Sequence, residues 1–236
     1  MNHCRKVILL WIVLGVGLTL SCRKGTGPRI QWIRTYGGAK DDRGLSVQQT
    51  RDGGFIIVGS TYSFGAGNKD IYVIKTDTKG NVIWEKTYGD NRYDEGYSIK
   101  QTRDGGYIIT GEYKRGMCLM KIDSSGEIQW ESEHIRNEGY CVQQTKDGGY
   151  IVKAARILIR TDANGKRIWK KKYEGEFVRE TSEEEYITTG RYPYFLAADW
   201  PDIYLAKIDE NGHLIWEKTY GGKYGDTGHS VRQTKD

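Results

Sequence analysis

Apolar residues in this chain come in short, near-continuous runs, and none of them recurs at helical spacing. Phe55-Ile56-Ile57-Val58 and Ile71-Tyr72-Val73-Ile74 are the clearest. Runs of this length predict strands buried on both faces, whereas a strand with one wet face alternates apolar with polar. The runs are bounded by turn chemistry. Asp52-Gly53-Gly54 returns as Asp104-Gly105-Gly106 and Asp147-Gly148-Gly149, and Asp-Gly supplies the positive φ of a tight hairpin. Asp77…Gly80 returns as Asp123…Gly126, Asp162…Gly165 and Asp209…Gly212. These acids recur in every period and are read as turn formers, not as a site.

The period is marked by tryptophans at 32, 84, 130, 169 and 216, separated by 52, 46, 39 and 47 residues. Each period holds four strand candidates. In the first they are A (45–50), B (54–60), C (70–76) and D (82–88). Four strands in about 45 residues predict an all-β fold, a β-propeller of four-stranded antiparallel blades. Blades are expected at about 45–88, 97–134, 140–173 and 177–220. A leading D strand at 30–36 and a trailing A strand at 229–236 are expected to form a partial blade. That count, 18 strands, suggests a truncated propeller with about four full blades, since an exposed half-blade invites edge pairing.

The first 29 residues read as an address. Arg5 and Lys6 precede a 14-residue apolar run, Val7–Leu20, which is short for a membrane span and typical of a signal core. Residues 1–21 are assigned as a signal peptide, and Cys22 with residues up to 29 as a lipidated cysteine and tether. Thr19-Leu20-Ser21-Cys22 resembles the lipobox of bacterial lipoproteins, chiefly through Ser21 and Cys22. The expected location is the cell envelope, with the chain lipid-anchored to an outer membrane or cell surface. The alternatives are a plain secreted protein or an uncleaved anchor.

Composition narrows the function. The formal charge is +5, and removing residues 1–21 leaves 34 basic against 31 acidic residues, or +3. The charges are interspersed, with no basic block, so nucleic-acid binding is not expected. Cys118 and Cys141 stand where other repeats carry Tyr72 and Ser46, and free thiols are favoured over a disulfide. His134, His213 and His229 lack metal-ligand spacing, and no nucleophile elbow or phosphate loop is present. The sequence therefore nominates no catalytic residue, metal or cofactor. A glycosidase-like carboxylate pair stays open, because Asp and Glu are abundant.

In a repeat protein, positions shared by all blades are structural, and departures are candidates for function. Asp42, Asp94, Asn137 and Asp226 each precede a recurring glycine by two places and are read as loop caps. In the fourth repeat the A–B turn becomes Ser182-Glu183-Glu184-Glu185, and the B–C loop swells to 191–201. The third repeat nearly lacks that loop. The B–C and D–A loops should leave one face of the propeller, carrying Tyr62, Phe64, Tyr192, Tyr194, Phe195 and Trp200 as candidate ligand-binding residues. Loop aromatics offer rigid area to sugar rings or partner side chains; the competing reading folds them back onto the rim.

The run Tyr36-Gly37-Gly38, then Ser46 to Ile56, then Lys75 to Trp84 resembles a poorly characterised propeller repeat family of bacterial and archaeal exported proteins. The resemblance covers 30–236. It implies a propeller and little chemistry, since this fold hosts enzymes, binders and scaffolds. Members are sometimes labelled endoglucanase-like, so a glycan-active enzyme is one alternative function. Asp123, Gly126 and Trp130 are distantly similar to the tryptophan-docking motif of quinoprotein propellers, which gives a second alternative. The expected function is a non-catalytic binding or scaffold module. Its expected partners are a membrane, through the lipid, and a glycan or protein ligand.

Overall fold

In the computed structural model the described residues are 31–114, 116–132, 138–192 and 201–234. They hold sixteen strands in four sheets of four. The first sheet is β1 (Asp42–Gln49), β2 (Phe55–Thr61), β3 (Asp70–Thr76) and β4 (Val82–Tyr88). The second is β5 (Glu95–Gln101), β6 (Tyr107–Tyr113), β7 (Gly116–Ile122) and β8 (Ile128–Ser132). The third is β9 (Gly139–Gln144), β10 (Tyr150–Ala154), β11 (Ile157–Thr161) and β12 (Arg167–Lys172). The fourth is β13 (Phe177–Glu180), β14 (Tyr186–Tyr192), β15 (Asp202–Ile208) and β16 (Leu214–Tyr220). Every sheet is an antiparallel meander, so strand order equals chain order.

The fold is a β-propeller. The first strands of successive sheets touch one another, β1 with β5, β5 with β9 and β9 with β13. They therefore line the axis, and the fourth strands lie outside. The two middle strands of the first sheet, β2 and β3, are buried along their whole length. Their side chains fill the space between neighbouring blades, in clusters such as Val58, Ile71, Ile99, Tyr107 and Met120. The first strand begins three residues earlier than its apolar run suggests, because Asp42–Gly44 extend the ladder through a bulge opposite Gly59. Gly59 is obligatory there, since a Cβ would collide with the carbonyl of Arg43.

Blades are fastened by a contact that recurs at each junction. Trp84, Trp130 and Trp169 lie edge-on to Tyr107, Tyr150 and Tyr186 of the next blade, at 5.7–6.0 Å between ring centroids. Beneath each indole stands a positive-φ glycine of the next C–D turn: Gly126, Gly165 and Gly212. A side chain there would strike the ring. Trp84, Trp130 and Trp169 are half-buried, and Trp216 is 36% exposed. No described sheet stands beyond β16 to cover it.

Residues 31–36 form no assigned strand, contrary to the expected leading strand, nor do 229–234. A strand needs a ladder partner, and neither segment has one among the described residues. Their side chains nevertheless make the junction contacts. Trp32 sits edge-on to Phe55, and Tyr36 donates a 2.8 Å hydrogen bond to the Gly80 carbonyl, as Tyr88 does to that of Gly126.

A cation on each third strand, buried in the first three blades, ties down the A–B turn. Lys75 reaches Asp52 at 2.8 Å and Lys121 reaches Asp104 at 2.9 Å. Arg160 takes the place in the third blade with Asp147. Lys207 serves Glu183 and Glu185 in the fourth, where Glu184 adopts the positive φ otherwise left to glycine. The hydrogen bond from Lys75 leads the interactions that hold the Asp52 carboxyl down at about 2.

Candidate functional site

The two faces of the molecule differ in kind. On one, the A–B and C–D turns are short and self-satisfied. Asp77, Asp123, Asp162 and Asp209 each accept backbone N–H groups two and four residues onward. Arg51 and Arg103 reach across to carbonyls of the next blade's turn, at Arg103 and Lys146.

The other face carries the B–C and D–A loops, and they interlock. Lys40 N donates to Ser63 Oγ at 2.9 Å, Asn68 to the Asn91 carbonyl at 2.7 Å and Asp226 N to the Pro201 carbonyl. The loop acids serve the loops. Asp42 accepts from Gly38 N, Asp94 from Asp90 N and Lys114 N, and Asp226 from Gly222 N. Asp70, 1% exposed, accepts from Ala66 N through Oδ2, while its Oδ1 has no hydrogen-bond partner among the described residues. Burial raises its pKa, and the nearby Asp94 and Asp90 add to the shift. No group of three or more His, Cys, Asp or Glu side chains among the described residues is placed to hold a metal.

Of the candidate aromatics, Tyr62, Phe64 and Tyr192 stand on this loop face. Phe64 leans on Tyr72 at 5.6 Å, and Tyr192 stacks on Tyr204 at 5.8 Å, yet 41% and 45% of their surfaces stay exposed. Each ring thus packs one side locally and offers the other to solvent. Tyr72 and Tyr204 are in turn fixed by hydrogen bonds to Glu85 and Glu217 on the outer strands. Tyr194, Phe195 and Trp200 lie outside the described residues, as do Cys22, His134 and Asn137.

Tyr62 lines a cleft. It is about 350 Å³ in volume and bounded by Lys40, Asp41, Arg43, Tyr62 and Lys69. Lys69 is committed to Glu95 at 2.6 Å. Burial works against the Glu95 carboxylate, but Lys69 and Ser60 outweigh it and hold its pKa below the ordinary value. Among the described residues, the side chains of Lys40, Asp41, Arg43 and Tyr62 make no ion pair or hydrogen bond. The charged residues of this cleft were not singled out by aromatic content, but the repeat marks one of them. Where Arg43 precedes its glycine, the other blades carry Glu95, Glu138, Glu174 and Thr227.

Cys118 and Cys141 are both free thiols. Burial pushes Cys118 up to about 12 and raises Cys141 as well, so neither is an activated nucleophile. His213 is exposed beside Asp209, and His229 lies against Phe177.

No family model and no curated protein sequence matches the chain. Solved structures do match. A protein of unknown function from Bacteroides caccae superposes with a TM-score of 0.57 at 10% identity, over 78% of this chain and 69% of the other. The Pan2 WD40 domain of Neurospora crassa gives 0.51 at 11% identity, over 75% and 66%. BamB from Moraxella catarrhalis gives 0.46 at 13%, over 75% of this chain and 51% of that one. The chain thus spans about two thirds of the first two proteins and half of the third. At these identities the first two likenesses establish the propeller fold and nothing finer.

Proposed function

We propose that this chain is a non-catalytic binding module of the exported, lipid-anchored propeller type, and that its loop face takes a glycan of the cell envelope. The observation that carries this reading is the cleft at Tyr62. It combines an aromatic ring and its hydroxyl with two cations and a carboxylate that have no partner among the described residues. Sugars are held by such sets, a ring face against C–H surface and charged groups accepting or donating to hydroxyls. Phe64 and Tyr192 extend the same face with rings already fixed on one side, so little side-chain entropy remains to be lost on binding.

Support for the lipid anchor comes from the Ser21-Cys22 ending and the apolar run before it. Binding of the full chain to a glycan array tests the function. Arg43→Gln and Tyr62→Ala should each weaken the strongest array signal at least about tenfold, the loss of one good polar or aromatic contact. Their melting transitions should stay within about 2 °C of wild type, because both side chains are surface groups. Unchanged glycan binding in both variants would remove the cleft from the account.

A further inference from the structure

Asp70 opens the third strand of the first blade and faces two loops at once. Its Oδ2 accepts the Ala66 N–H of the B–C loop at 3.0 Å. Its Oδ1 is turned to Gly89 in the D–A loop, where a Cβ would stand 1.9 Å from that oxygen. The same Cβ would stand 2.8 Å from Asp94 Oδ2. The two carboxylate oxygens are therefore less than about 5 Å apart, a span that one ion at about 2.3–2.6 Å from each can bridge. Both acids are buried, and Asp70 Oδ1 has no hydrogen-bond partner among the described residues. A buried carboxylate oxygen without a donor is costly unless something else satisfies it.

Among the described residues no cation neutralises this pair. Asp94 accepts two backbone N–H groups, those of Lys114 at 2.7 Å and Asp90 at 3.1 Å, which favours its ionised form. The cations on the adjoining loops are engaged elsewhere. Lys69 pairs with Glu95 at 2.6 Å, Lys114 with Glu131 at 3.0 Å, and Arg92 Nε turns to Asp90 at 3.7 Å. Asp90 accepts the Arg92 N–H through Oδ1, so it adds negative charge to the pair without joining it. The arrangement is not part of every blade. The register puts Gly116 at the Asp70 position in the second blade, and the third blade has no loop to fasten. The fourth blade repeats it with Asp202 and Asp226 around Gly221, where Asp202 is less buried.

We propose that Asp70 and Asp94 form a calcium site that fastens the B–C loop of the first blade to the D–A loop that follows it. Two carboxylates with water completing the shell suit a hard cation of adaptable coordination. Magnesium demands a tighter and more regular octahedron and fits such a pair less well. The ion supplies the missing partner of Asp70 Oδ1 and offsets the charge that Asp94 and Asp90 add beside it. Asp94 N also donates to the Lys69 carbonyl at 2.6 Å, so the ion stiffens one wall of the Tyr62 cleft, whether or not that cleft takes a glycan.

The test is calorimetric titration of the chelator-stripped full chain with Ca2+ and with Mg2+, joined to hydrogen–deuterium exchange with each ion. Ca2+ should bind with a Kd of about 10⁻⁴–10⁻³ M, the range of weak extracellular sites, and Mg2+ at least about tenfold more weakly. Ca2+ should slow exchange at 65–70 and 89–94. Asp70→Asn should remove one bound ion per chain and the slowing at both segments. In chelator that variant should melt no more than about 2 °C below wild type, because the amide oxygen keeps the Ala66 hydrogen bond. Should Asp70→Asn fail to fold, wild type must still show the local slowing with Ca2+ and not with an equal concentration of Mg2+. No slowing at 65–70 and 89–94 in wild type, or the same slowing in Asp70→Asn, would overturn the proposal. So would indifference to Ca2+ together with a stability in chelator that Asp70 makes fall as the pH rises from about 5 to 8, since the pair would then hold a proton instead.

Discussion

Trp84, Trp130 and Trp169 show how much one side chain contributes to a stacked-blade fold. Each presents its ring edge-on to the next blade's tyrosine, and Trp84 and Trp169 donate their indole N–H to a turn carbonyl 40 or 41 residues onward. Truncating Trp84 to alanine should cost about 3 kcal/mol, the low end for a large aromatic, because the ring is only half-buried. Trp216→Ala should cost under about 1 kcal/mol, as befits a ring with no described blade against it. Urea denaturation of both variants checks the contrast, and equal losses would mean that blade contact is not what these rings supply. The tryptophan period was legible in the sequence because identical residues recur at near-equal spacing. Their partial exposure was not, because it depends on the angle at which the next blade's turn glycine meets the ring.

At the scale of elements, the third blade departs furthest from the repeat. Its B–C connection is reduced to Ala155-Arg156, with Ala155 at φ 37°, and the next D–A connection is shortened as well. Lys153 stands where the other blades have Val58, Thr110 and Thr189. It is fully buried, and its amine donates to the carbonyls of Ala155 at 2.6 Å and Tyr173 at 2.8 Å. Burial drives its pKa down to about 7, with Glu174 and Glu176 opposing the shift. Between that value and the ordinary lysine range the unfolded chain binds more protons than the native one, so this group makes stability rise with pH. The gain should approach about 1.4 kcal/mol per pH unit from pH 7 to 9, and Lys153→Met should abolish it. Urea midpoints of both proteins at the two pH values decide the matter, and parallel profiles would place the group outside the titration. Here the sequence misled through the shortened loops. It announced that a loop was missing, but not that a lysine had entered the space between blades. The same holds for the third-strand cations, since nothing local in the sequence shows that the register turns their side chains beneath the A–B turns.

Across the whole molecule, the interspersed charges of the sequence sort by position. The turn face is occupied by pairs that the protein makes with itself, while cations without an ion pair among the described residues line the cleft beside Tyr62. Near-continuous apolar runs and recurring turn residues revealed the four blades and their order, since those follow from local chemistry. The cleft could not be read that way, because it joins residues from separate loops. Departure from the repeat was the available signal, and it marks Arg43 and Lys153 in retrospect. The N-terminal address makes its own prediction. Cys22→Ser should abolish palmitate labelling of the expressed protein and shift it from the membrane to the soluble fraction, or leave it unprocessed. Labelling that survives the substitution would show that the anchor lies elsewhere.

The division between a binding face and a structural face is tested most directly by hydrogen–deuterium exchange of the full chain, with and without the glycan that binds most strongly in the array. The account predicts slowed exchange at 38–43 and 62–69, with no change in the turns at 51–54, 77–80, 103–106 and 123–126. Protection confined to those turns, or no glycan retained by the chain at all, would contradict it.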